Sequence, residues 1–161
     1  STLHATSATK AIPRLRNLGV NDHNIASTLS LVISQRLLRK LDPISRERDE
    51  VSPQRLKAIG FKDEEIVGLQ LYRAKPNDTS RTGYQGRIGI FQVLPINHEL
   101  ESLIATGAND QQLESYTEQQ GHASLRQSAL DKLKAGITDI NEVERVLGLI
   151  ETPNCGIGEG R

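Results

Sequence analysis

With 161 residues the chain has the length of one domain and material for a sizeable core. Its 20 Lys and Arg are matched by 20 Asp and Glu, which leaves no net field to gather nucleic acid or an anionic membrane surface. No apolar run of about 18 residues occurs, so no helical membrane span is expected, and the single cysteine, Cys155, has no internal disulfide partner and suits a reducing compartment. The chain opens on Ser1-Thr2-Leu3-His4-Ala5-Thr6-Ser7-Ala8. This reads as the end of a strand that delivers a histidine into a polar loop and then opens a helix. Ala8, Ala11, Ile12, Leu15 and Leu18 fall on one helical face, and Gly19 stands where the helix stops. A strand, a polar turn and a helix start make a place where an anion can be read. His4 is the side chain there whose charge changes near neutral pH. Alone, a histidine in this position is more often an ordinary surface residue.

Asp22 is the expected cap of a second helix carrying Ile25, Ala26, Leu29, Val32 and Ile33. Gln35–Leu41 reads as a strand, although its periodicity equally allows a longer helix. Residues 42–81 change character. Asp42-Pro43 ends the preceding element, and Arg46-Glu47-Arg48-Asp49-Glu50 is a solvated mixed-charge stretch. Ser52-Pro53 starts a short helix that Gly60 stops. A further helix is predicted over 63–72, and Lys75–Ser80 is rich in turn formers. In Thr82–Leu94 an apolar run follows Gly83, Gly86 and Gly89. That glycine spacing matches no phosphate loop and suits a tight turn feeding a strand.

The last third predicts four short helices, each closed or preceded by glycine. Leu100, Leu103 and Ile104 mark the first, and Asn109 with Gln112 resembles a capping box opening the second. Ser124 with Gln127 and Asp139 with Glu142 repeat the pattern for the third and fourth. Residues 149–161 lack periodicity and are expected to be a disordered tail.

Three stretches together resemble the traffic ATPases of type II secretion and type IV pilus assembly. Ser1-Thr2-Leu3-His4 with the small-residue helix behind it resembles their histidine box. Ser34-Gln35-Arg36-Leu37-Leu38-Arg39 resembles the segment leading into their cysteine-rich insert, and Thr82-Gly83-Tyr84-Gln85-Gly86-Arg87-Ile88-Gly89-Ile90 their Thr-Gly-Tyr-x-Gly-Arg-x-Gly-Ile block. The C-terminal Gly121–Leu125 and Ala135–Thr138 also match links of that family.

The resemblance implies an α/β fold: the C-terminal portion of a RecA-like P-loop ATPase domain with an inserted small subdomain and a C-terminal helical bundle. Residues 1–41 would belong to the ATPase core, 42–81 to the insert, 82–98 to a return strand and 99–148 to the helical subdomain. It implies a fragment of a longer protein, because no G-x-x-x-x-G-K-[ST] occurs here. His4 would stand near the γ-phosphate, supported by Thr2 and Thr6, with Arg36 and Arg87 as candidates for the nucleotide edge or a subunit interface. ATP and Mg²⁺ would be used by the complete protein, with the isolated fragment inactive. The expected partners are five further copies in a hexamer and the inner-membrane platform of a pilus or secretion machine, with a cytoplasmic location at that membrane and no nucleic acid. In most such motors two Cys-x-x-Cys pairs hold zinc in the insert. The equivalent positions here are Asp42, Ser45, Pro76 and Thr79, so no zinc is expected, and the insert should be mobile and held by its own small apolar contacts. The alternative function is a non-catalytic scaffold that joins subunits.

Overall fold

A computed structural model describes residues 1–148; the tail expected over 149–161 lies outside the described residues. The elements are α1 (Ala11–Asn17), α2 (Asp22–Thr28), β1 (Leu31–Leu41), β2 (Glu47–Asp49), α3 (Pro53–Ile59), α4 (Asp63–Ile66), β3 (Leu71–Arg73), β4 (Tyr84–Pro95), α5 (His98–Ala105), α6 (Asp110–Gln119), α7 (Leu125–Lys134) and α8 (Ile140–Leu147). The architecture is mixed α/β, with two small antiparallel sheets, β1–β4 and β2–β3.

β1 and β4 carry the molecule. They pair from Leu31 opposite Pro95 to Arg39 opposite Arg87, with an irregularity before Leu41 meets Tyr84. Side chains alternate between the two faces of such a ladder. Inward, Ser34, Leu38, Ile90, Gln92 and Leu94 are buried. Outward, Leu31, Ile33, Leu37, Phe91 and Val93 are 43% to 57% exposed, so this apolar face is uncovered by the described chain.

Two apolar cores sit along the inward face. One gathers Ala8 and Ile12, Ile25 and Ala26 of α2, Leu94, Leu100 and Ile104 of α5, and Leu113 of α6. The other gathers Leu38, Ile90, Leu56, Ile59, Phe61 and Leu71 with Leu125, Ala129, Leu130 and Leu133 of α7 and Ile140 and Val143 of α8. The four C-terminal helices therefore divide two and two between these cores, where the sequence pattern suggested one bundle. The 42–81 segment likewise does not rely on contacts of its own; its apolar residues enter the second core beside α7 and α8.

Local boundaries moved for identifiable reasons. Ser1–Ala5, expected to end a strand, pair with no strand among the described residues. α2 ends at Thr28, and Val32 and Ile33, expected on it, start β1 instead; their β-branched side chains suit a paired strand. Asn21, one residue before the expected Asp22, caps α2 by accepting from the Asn24 N–H. The helix predicted over 63–72 stops at Ile66; Gly68 turns the chain, and Leu71–Arg73 pair with β2. Ser52 and Pro53 open α3, and Asn109 with Gln112 form the reciprocal capping box, both as expected. Asp139 caps α8, but the Glu142 side chain does not return to the cap.

Glu142 instead forms the most demanding polar contact in the structure. Its side chain is fully buried. It accepts from the Arg39 N–H (2.9 Å) and Nε (2.8 Å), and from Arg145 Nε (2.9 Å) and Nη2 (2.7 Å). Asp139, also buried, accepts from the Tyr84 hydroxyl at 2.6 Å and from the Ala74 N–H. The Arg39 guanidinium lies 4.0 Å from the centre of the Tyr84 ring. The α7–α8 link continues the ladder's hydrogen bonding, because Leu41 donates to the Ile137 carbonyl and the Thr138 hydroxyl to that of Arg39. α8, β1, β4 and the strand leading out of the insert thus meet at two carboxylates.

Burial alone would raise the Glu142 pKa, but the bonds from Arg145 and Arg39 outweigh it and hold the carboxyl near about 2, against an ordinary 4.5. A lowered folded-state pKa means this stabilisation is complete above pH 4.5 and is lost as pH falls through about 2. Replacing Glu142 with Gln should cost roughly 2 kcal/mol at pH 7, less than for a fully buried pair because both arginines are about half exposed. Urea denaturation checks this: the deficit should shrink steadily between pH 4.5 and pH 2, and a deficit independent of pH would remove the ion pair as its cause.

Candidate functional site

The N-terminal segment lies across the middle of the inward face of β1–β4. Alternation places Arg36 on that face between Ser34 and Leu38. Its guanidinium donates to the carbonyls of Ala5 (3.0 Å), Thr6 (3.5 Å) and its neighbour Gln35 (2.9 Å). Gln92, opposite Ser34, accepts from the buried Ala8 N–H at 2.9 Å. The Ser7 and Thr9 hydroxyls bond each other before α1 begins.

Beside this turn an open cleft of about 610 Å³ is lined by His4, Thr6, Lys10, Arg14, Asn17, Arg36 and Asp110, among others. His4 is exposed and faces this cleft. Lys10, Arg14 and His4 against one carboxylate suit the oxygens of a phosphate group, the Arg36 guanidinium being already bonded to backbone carbonyls. Among the described residues no group of three or more His, Cys, Asp or Glu is placed to hold a metal ion. The sequence singled out His4, Thr6 and Arg36, and the fold brings all three to one cleft. Thr2 is exposed and lines a neighbouring hollow with Leu3 and Arg36 instead. Arg87 stands elsewhere, exposed on β4 opposite Arg39. Lys10 and Arg14 were missed, although their spacing of four along α1 was a readable sign that they share a face.

Asp42, Ser45, Pro76 and Thr79, singled out in the sequence, lie around a hydrogen-bonded clasp. Asp42 is buried, and its carboxylate accepts from the Ile44 N–H (3.0 Å), the Asn77 amide (3.0 Å) and the Ser45 hydroxyl (3.3 Å). The Ile44 and Asn77 bonds hold its carboxyl below the ordinary range. Asn77 in turn accepts from the backbone N–H of Thr79 and of Ser80. Pro76 is exposed and contributes no side-chain donor or acceptor. Asn77, not a position flagged in the sequence, is the residue that joins the two ends of the segment.

A family model described as "Type II/IV secretion system protein" matches residues 1–145. The chain belongs to this family. It is 35% identical over 148 residues to the type IV pilus assembly ATPase PilB of Acinetobacter baylyi, covering 91% of this chain and 26% of that protein. It is 36% identical over 146 residues to the PilB of Pseudomonas aeruginosa, with 91% and 26% covered. The type II secretion system ATPase E of Vibrio cholerae is 37% identical over 147 residues, with 91% and 29% covered. The chain thus spans about a quarter of the length of these relatives. No helix in the described residues of this family member is long and apolar enough to cross a membrane.

The glycine block of the family member has a structural use at Gly83. Its φ is +72°, and an added Cβ would stand 2.6 Å from the Lys75 nitrogen and 2.8 Å from its carbonyl carbon, both backbone atoms unable to yield. Gly86 has the same φ but open space around it. Gly86→Ala should therefore cost about 1 kcal/mol, the usual strain of a left-handed non-glycine residue, whereas Gly83→Ala should cost more than about 3 kcal/mol. Thermal unfolding of the two variants measures the difference, and equal losses would show that the approach of Lys75 is unimportant.

Proposed function

We propose that this chain is the C-terminal part of the RecA-like ATPase domain of a hexameric motor that powers type IV pilus assembly or type II protein secretion. The observation that carries the reading is the match of 91% of the chain to named ATPases of both systems. The cationic cleft at His4 supports it from the physical side, since a nucleotide's phosphates are the ligand such a cleft suits. The uncovered apolar face of β1–β4 is larger than isolated exposed residues explain. It fits a piece that packs against the remainder of a longer polypeptide, as the quarter-length match to the relatives also suggests.

In this reading His4 faces the nucleotide and senses its hydrolysis, with Thr2 and Thr6 flanking it and Arg36 beneath. Arg87, exposed on β4, is the candidate for contact with a neighbouring subunit. ATP with Mg²⁺ supplies the phosphoryl group whose transfer to water releases the free energy. The chain has no glycine-rich phosphate loop, so in this reading the cleft meets the phosphates from one side and residues outside this chain complete their cradle and hold the metal. Asp42, Ser45, Pro76 and Thr79 offer one carboxylate and no thiolate where a structural zinc would need a complete ligand set. The Asp42–Asn77 clasp takes that place, and the insert works without zinc. The motor acts in the cytoplasm, against inner-membrane platform proteins, and engages no nucleic acid.

The test is His4→Ala in the complete protein. ATP turnover should fall by at least about 100-fold, the scale of a lost proton-transfer or phosphate-facing group, with the ring intact by sizing. Residues 1–148 alone should show no turnover. Unchanged turnover in His4→Ala would favour the scaffold instead.

A further inference from the structure

The inward face of β1–β4 carries a polar band between its two apolar cores. Leu94 and Val32 belong to one core, Leu38 and Ile90 to the other, and Ser34, Arg36 and Gln92 lie between them. A charged side chain set between two cores is tolerated only if its donors are satisfied. Arg36 meets that demand with the carbonyls of Ala5 and Thr6, the two residues that follow His4. Among the described residues no other hydrogen bond reaches the Ser1–Thr6 backbone, and these residues belong to no helix or strand. Past them, the Ala8 N–H is held by Gln92.

We propose that Arg36, with Gln92 closing the far end, is the positioning residue that sets where the His4-bearing turn stands over the cleft. Resting on the motor reading above, this assigns Arg36 to the protein's own carbonyls and not to the nucleotide. Its Nη2 reaches both successive carbonyl oxygens while its Nη1 is fixed on the Gln35 carbonyl, an anchoring that a lysine's single ammonium lacks. The guanidinium sits on β1, and β1 is joined through Arg39 and Leu41 to α8 and the α7–α8 link. A shift of the C-terminal helices relative to the hairpin therefore reaches His4 through one side chain. The same contact lets movement of the His4 turn reach the insert and α8.

Steady-state kinetics of the complete protein tests this with Arg36→Gln, Arg36→Lys, His4→Ala and the double variant His4→Ala/Arg36→Gln. A misplaced reacting group costs on the order of 100-fold. Arg36→Gln should accordingly lower kcat by about 10- to 100-fold and leave KM for ATP within about 2-fold, and Arg36→Lys should recover part of the loss. The double variant should be no slower than His4→Ala alone, because the two residues act as a unit. A raised KM at unchanged kcat would make Arg36 a nucleotide contact and overturn the proposal. So would additive losses in the double variant, or full activity in Arg36→Gln beside an inactive His4→Ala. Full activity in His4→Ala would instead bring down the motor reading of the site, and the positioning role with it. Should Arg36→Gln fail to fold, Arg36→Lys carries the same kinetic comparison, with a KM effect alone again counting against the proposal.

Discussion

The structure depends on one pairing between distant segments: β1 and β4, separated by the whole 42–81 segment, must meet in a single register. A slip of one residue would turn Ile90 and Leu94 of β4 outward and bring Phe91 and Val93 into the cores, or exchange Leu38 for Leu37 if β1 is the strand that turns. The penalty for that exchange falls not on apolar area alone, since both faces of the ladder are apolar in places. It falls on the polar residues, because Arg36 would lose its carbonyl partners, or Gln92 its amide partner, and be turned to the uncovered face. The polar band thus discriminates between registers that hydrophobicity distinguishes poorly.

The far end of the ladder uses charge in a similar way. Asp139 and Glu142 are carboxylates without solvent, and burying them is acceptable only while Tyr84, Ala74, Arg39 and Arg145 supply donors. Those donors come from β3's exit, β4, β1 and α8, so the carboxylates specify how four elements join. The insert is held at further points, among them the Lys134–Glu65 pair to α7. Arg46 donates to the Gly136 carbonyl and lies over the Tyr72 ring. Arg55 pairs with Glu144 through two hydrogen bonds, and the Asp42–Asn77 clasp closes the segment's base. A segment of this size is held here by sharing a core and by charge-assisted bonds to its neighbours.

These constraints also shape what the site can do. The cleft does not stand on a separate loop; it lies where the N-terminal turn crosses the ladder between the two cores. Helices α5 and α6 pack on one side of that crossing, and α7, α8 and the insert on the other. A ligand that moves the turn acts on a junction common to both halves.

Local chemistry was legible in the residues themselves. Ser52-Pro53 at the start of α3, Asn109 with Gln112 at α6, and the helix faces led by Leu100, Leu125 and Val143 depend on neighbours within a few positions, so the sequence alone determined them. The three family motifs likewise identified the family, because each motif is contiguous. What only the tertiary structure decided concerns partners remote in the chain. Val32 and Ile33 left a predicted helix because β4 stood ready to pair with them. Leu71 left another for β2. Glu142 abandoned its cap for Arg39, 103 residues away, and Arg36 faced backbone carbonyls 30 and 31 residues before it. Short-range spacing records which conformations a segment prefers, whereas the donor that satisfies a buried charge is chosen only when distant strands come together.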